Sequence, residues 1–192
     1  MNVLTSPGTG AALQEAWRRL HAYAGHDDAN VAGCNLIALI VASNQPFYPL
    51  YVHWLVSPHV TPTLLTFLST PFFLAVPAVS RRWPTFGRAL LPLTGMSNVM
   101  VSAKAFGAAS GVEIFLMPCA LIAAAFFGPN ERGIGLALLA AALGTFLVRG
   151  HYGTPMYAYS AEELAAFVRL NAVSAGMLVA FVGFVLSSRF RD

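Results

Sequence analysis

At 192 residues, 57% of them hydrophobic and only 10% charged, the chain departs sharply from soluble domains, which carry about 25% charged residues. Mean hydropathy is +0.64 and the net charge is only +3 at pH 7. This composition leaves no room for a soluble catalytic domain and gives no reason to expect a nucleic-acid partner. It predicts an all-α polytopic membrane protein, because helices satisfy their own backbone in lipid.

Residues 1–30 are expected to form a cytoplasmic N-terminal segment. They lack the charged start and short apolar core of a signal peptide. Residues 11–24 read as an amphipathic helix: Leu13, Trp17 and Leu20 share one face, and Glu15, Arg18 and Arg19 supply polar positions. Such a helix lies on the inner membrane surface or packs on the bundle. Asn30 is the expected N-cap of the helix that follows.

Residues 31–192 are expected to form a six-transmembrane-helix bundle with spans at 31–56, 61–80, 88–107, 111–127, 133–148 and 161–188. Proline and glycine mark the breaks: Pro58 and Pro62, Pro84 after Arg81-Arg82-Trp83, Gly128-Pro129-Asn130, and the stretch 150–160. With a cytoplasmic N-terminus, Arg18, Arg19, Arg81, Arg82, Arg88, Arg132, Arg189 and Arg191 fall inside. Lys104, Arg149 and Arg169 fall on or near the outer side. This bias orients the bundle with both termini cytoplasmic and accounts for the positive net charge.

The first span is the oddest. Asn44-Gln45-Pro46 sits near its middle, followed by Pro49, His53 and Trp54. The prolines should kink the helix. Asn44 and Gln45 then either hydrogen-bond across helices or line a cavity. Pro71, Pro77, Pro92 and Pro118 fall in later spans and point to a cavity or to helices able to shift. Cys34 and Cys119 sit within spans and read as small buried residues rather than a disulfide pair.

Ionisable residues in or near spans are functional candidates by default. Lys104, Glu113, Arg149, His151, Glu162, Glu163, Arg169 and His53 all gather at outer helix ends. In one reading Lys104, Glu113, Arg169, Asn171 and His53 line an outward-facing pocket for a small polar or amphipathic ligand. In the other they are interfacial pairs, with Glu113 or Glu162 as the partner of Arg169. Ser160 and Glu163 have capping-box spacing. Ala103, Gly107 and Gly111, with Ala137, Ala140, Ala141 and Gly144, have the spacing of close helix contacts and admit a homodimer. Tyr48, Tyr51, Trp54, Tyr152, Tyr157 and Tyr159 read as an aromatic belt.

Walker, GxSxG, HExxH and CxxC motifs are absent, so no enzyme activity, metal or cofactor is expected. Of the five histidines only His53 lies in a span, which makes a haem- or pigment-binding protein a subordinate alternative. A small-solute transporter is another, although mid-depth offers only Asn, Gln and Ser.

Four stretches carry a resemblance: Phe72-Phe73-Leu74-Ala75-Val76-Pro77 before Arg81-Arg82, Ser110-Gly111-Val112-Glu113-Ile114-Phe115, Asn130-Glu131-Arg132, and Leu170-Asn171-Ala172-Val173-Ser174-Ala175. In this order the chain, over about 35–190, resembles the six-helix membrane modules of bacterial class III adenylate cyclases and of six-helix quorum-sensing histidine kinases. The resemblance implies a membrane anchor and receptor that signals through its last helix. Here Arg189-Phe190-Arg191-Asp192 stands where a coupling helix and effector domain would begin.

The expected protein is therefore a non-catalytic sensor or partner-binding module of a bacterial inner membrane. It would respond to a small ligand at Lys104, Glu113, Arg169, Asn171, His53, Asn44 and Gln45. Its expected partners are the lipid bilayer, the ligand, and a second copy or a larger membrane complex. The principal alternative is an accessory subunit of a respiratory or photosynthetic assembly.

Overall fold

A computed structural model describes residues 9–188, without the side chains of residues 9, 12, 13, 16 and 17. Among the described residues 85% are helical and none is in a strand. The eight α-helices are α1 (Thr9–Ala24), α2 (Ala29–Asn44), α3 (Tyr48–Leu55), α4 (Thr70–Ser80), α5 (Pro84–Phe106), α6 (Leu116–Ala125), α7 (Arg132–Leu147) and α8 (Ala161–Ser188). Leu13 and Trp17, on the expected apolar face of α1, and Arg189 and Arg191 lie outside what is described.

Among the described residues two helical segments are long and apolar enough to cross a membrane: Thr61–Ser80, which is 3-10 up to Ser69 and α beyond, and α8. A third span results if Val112–Ala125 and Pro129–Leu147, bent by 118° at their junction, count together. The expected first span is not one helix. Pro46 sits in a 3-10 turn, Gln45–Phe47, that separates α2 from α3, as an internal proline requires. At 23 residues α5 is long enough, but Thr94, Ser97, Asn98 and Ser102 lower its hydropathy. The outer surface carries large apolar side chains throughout, with Trp54 73% and Leu147 68% exposed. An apolar surface this extensive marks contact with lipid or protein, not water.

Helix α5 is central, packing on α4, α2, α6 and α7, while α6 also packs on α8. Close approach occurs where a glycine removes a side chain. A Cβ on Gly87 would come within 2.0 Å of Ser80 Oγ, one on Gly95 within 2.6 Å of Cys119 Sγ, and one on Gly135 within 2.9 Å of the Ala123 carbonyl. Of the small residues expected to do this, Ala103 is buried and a Cβ on Gly111 would meet a Val168 methyl at 3.0 Å, whereas Ala137, Ala140 and Ala141 are exposed and Gly144 meets nothing within 4 Å. Both cysteines are buried.

Asp28, not Asn30, caps α2, its carboxylate accepting from the amides of Asn30 at 2.7 Å and Val31 at 3.4 Å. The helix starts two residues earlier than the expected span, at Ala29, and the cap must precede the first helical turn. The capping box at α8 forms in both directions, Ser160 N to Glu163 Oε2 at 2.8 Å and Glu163 N to Ser160 Oγ at 3.2 Å.

At the α3 end the aromatics are not a simple belt. Tyr48, Phe106, Phe167, Tyr159, Tyr157 and His59 run as successive ring contacts with centroids 4.6–6.1 Å apart. Tyr159 is buried, donates to the His59 carbonyl at 2.9 Å, and has its phenol pushed up to about 12 by that burial. Stacking against core phenylalanines outweighs the interfacial preference of these tyrosines, and only Trp54 stands fully outward.

Candidate functional site

A cavity of about 540 Å³ lies between α2, α5, α6 and α8, at the level where Pro46 breaks the first segment. Ile37, Ile40 and Val41 of α2, Leu91 and Val99 of α5, Pro118 and Ile122 of α6, and Leu178 and Phe181 of α8 form apolar walls. Polar groups come from the break and from facing helices: Asn44, Gln45, Tyr48, Tyr51, Asn98, Ser102 and Ser174. No Asp, Glu, Lys, Arg or His is in the lining among the described residues. The space fits the general pattern of a ligand pocket, mostly apolar with a few fixed polar groups.

The polar groups differ in how free they are. Gln45 is buried and saturated: its Nε2 donates to Ser69 Oγ at 2.6 Å and to the Thr66 carbonyl at 3.2 Å, while Thr70 Oγ1 donates to its Oε1. It satisfies backbone and hydroxyl groups where the 3-10 run meets α4, and so clamps the break to the Thr61–Ser80 segment. Ser69 Oγ lies 3.1 Å from Asn98 Oδ1, which ties α5 into the same network. Among the described residues the Asn98 side chain bonds only Ser69, and the Asn44 side chain bonds none. These two amides are therefore available on the cavity wall as donors and acceptors, beside the hydroxyls of Tyr51, Ser102 and Ser174.

Asn171, 0% exposed, accepts from the Tyr48 hydroxyl at 3.1 Å and donates to the Ser110 carbonyl at 3.0 Å. It joins α8 to α3 and to the turn after α5, and reaches the cavity only through Tyr48. Asn171→Leu strands both partners, and a buried polar group left without its partner costs about 1–3 kcal/mol. We expect lower thermal stability and looser seating of α8, read by hydrogen exchange at residues 108–115.

The other expected site residues do not join this cavity, nor do they form one pocket together. Lys104 is exposed and donates to the Thr154 carbonyl at 2.8 Å, pinning the 150–160 loop. Arg169 is exposed without a partner among the described residues, and neither Glu113 nor Glu162 meets it. His53 is exposed. Glu113 turns toward the α6–α7 side, where Arg149 lines the same groove. These residues share an end of the bundle but leave their helices at different azimuths, which level along the chain does not reveal.

Sequence reasoning missed Asn98, Ser102 and Tyr48 as cavity residues. Asn98 had a usable signal, an amide in the middle of an expected span.

At the opposite end Arg88 is only 4% exposed and ties α5 to the α6–α7 turn. Its guanidinium bonds Glu131 Oε1 at 2.6 Å and the Phe126 carbonyl at 2.7 Å, and lies 5.3 Å from the Phe127 ring centroid. Thr85 Oγ1 donates to the same Glu131 oxygen at 2.5 Å. This arginine, expected among the cytoplasmic-side charges at the start of the third span, is a buried strut.

No protein-family model, curated protein or solved structure matches the chain. The class defined by fold and site is an all-helical protein with two or three membrane-capable segments around an uncharged cavity.

Proposed function

We propose that this protein is a non-catalytic membrane sensor whose central cavity takes up a small, uncharged, largely apolar molecule bearing one or two hydrogen-bonding groups. The observation that carries this reading is the cavity itself: apolar walls, the amides of Asn44 and Asn98 on its surface, and no charged lining residue. A charged ligand would lose its hydration there without a counter-ion, which is costly. A neutral amphipathic one gains apolar contact and pairs its polar group with the amides.

Six crossings, counting the broken α2–α3 as one, and an inner-membrane setting with both termini cytoplasmic complete the reading, as does the receptor role of the modules the sequence resembles. The ligand would act by favouring one arrangement of α3 and α8, which meet at Tyr48 and Asn171. The site is thereby moved from the outer helix ends to the middle of the bundle.

The test is organic extraction and mass spectrometry of the gently purified protein beside its Asn98→Leu variant. Leucine keeps the volume and removes the amide, so a co-purifying neutral molecule is expected from the parent and at least about tenfold less from the variant, the loss of one buried polar pairing. Equal retention would overturn the role of Asn98, and no retained molecule from either would overturn the sensor reading. An accessory-subunit role is favoured by α8, whose apolar span is only 22% buried; stoichiometric co-purification of large membrane neighbours would establish it instead.

A further inference from the structure

The groove between α6 and α7, about 520 Å³, holds an unusual pair of charges. Glu113 lines it and is only 8% exposed, and its Oε1 has no hydrogen-bond partner. Arg149 lines the same groove, exposed, with its guanidinium 4.4 Å from the Phe146 ring centroid. They form no ion pair with each other. The remaining lining is mainly apolar, and Met117 and Leu143 turn outward, 64% and 59% exposed. An orphaned carboxylate oxygen in apolar surroundings needs an N–H donor, preferably cationic. A guanidinium free of carboxylate partners is suited to phosphate. Apolar side chains leading outward from both suit acyl chains.

We infer that this groove is a specific lipid site for a phospholipid whose head group carries a primary ammonium. The ammonium donates to Glu113, the phosphate accepts from Arg149, and the acyl chains lie along Met117, Leu139 and Leu143. The charge order selects the lipid. A trimethylammonium head has no N–H for Glu113, and a glycerol head offers no cation. The site is separate from the central cavity and stands whether or not that cavity holds a ligand, provided the chain sits in a bilayer.

The full-length protein is exchanged into micelles containing equimolar phosphatidylethanolamine, phosphatidylcholine and phosphatidylglycerol with identical acyl chains, and retained lipid is read by native mass spectrometry. Phosphatidylethanolamine is expected to exceed phosphatidylcholine by about tenfold, the ratio for one charge-assisted hydrogen bond. N-methyl and N,N-dimethyl head groups should fall between them. Glu113→Gln should remove the preference, and Arg149→Gln should lower retention of phosphatidylethanolamine. Equal retention of the two lipids, dominance of phosphatidylglycerol, or a preference that survives Glu113→Gln would overturn the assignment. If Glu113→Gln does not fold, the N-methylation series on the parent protein decides alone.

Discussion

Replacing Arg88 by alanine is expected to destabilise the bundle by about 3–5 kcal/mol, the cost of breaking a buried ion pair by removing one partner. The guanidinium joins α5 to both Glu131 and the Phe126 carbonyl. Glu131 keeps Thr85 as a donor and has 23% side-chain exposure, which puts the loss toward the lower end of that range. Lysine at 88 should rescue little, because one ammonium on a flexible stem cannot reproduce the two-armed contact. The measurement is denaturant unfolding in micelles followed by circular dichroism, with fluorescence of a label on α7 to report separation of the α6–α7 unit. An unchanged midpoint in Arg88→Ala would mean that apolar packing alone holds α6 and α7 on α5. Replacing both partners by leucine should recover much of the loss, since a well-packed apolar pair is often as stable as the ion pair it replaces.

The second large effect is steric. A methyl group on Gly87 would overlap Ser80 Oγ at 2.0 Å and, more seriously, the Ser80 Cα at 2.7 Å. Side-chain rotation relieves the first contact, whereas the second requires α4 and α5 to move apart. Overpacking a tight contact costs about 1–3 kcal/mol and occasionally more, and with backbone involved we expect Gly87→Ala to lie at or above the top of that range. Ser80 Oγ is itself buried without a hydrogen-bond partner. Ser80→Gly in the Gly87→Ala background should therefore recover part of the stability, and Ser80→Ala alone should be close to neutral. A Gly87→Ala variant as stable as the parent would show that α4 and α5 are free to separate there.

Both effects arise at the end of the bundle away from the 107–113 turn, where three of the tightest links in the molecule meet: Arg88 with Glu131, Gly87 on Ser80, and Gly135 under the Ala123 carbonyl. The cavity lies farther along α5 toward Ser102, where α2 is interrupted and α8 is held chiefly through Asn171 and a stacked aromatic cluster. On the proposed sensor reading, occupancy of a cavity bounded by a broken helix above these links is expected to be felt at α3 and α8 rather than at α4 and α5. This is why Asn171→Leu and Asn98→Leu are expected to separate, the first acting on stability and the second on retained ligand.

What the sequence determined by itself was local chemistry. The low charge content and long continuous apolar runs called for helices in an apolar setting, because a helix satisfies its backbone within one segment. Pro46 marked the break between α2 and α3, since proline removes a helical donor wherever it falls, and Ser160 with Glu163 specified the start of α8 through groups three residues apart. Asn44 and Gln45 stood out in the sequence as polar residues at that break. The tertiary structure decided everything that depends on azimuth and distance across helices. It brought Glu113 into one groove with Arg149, placed Asn98 and Asn44 on the wall of one cavity, and buried Arg88 against a carbonyl 38 residues away. Helical periodicity tells which residues share a face, but which face meets which neighbour is settled by packing: Gly87 and Gly135 admit the backbones of Ser80 and Ala123, and Gly95 admits the Cys119 thiol, where any side chain would hold the helices apart.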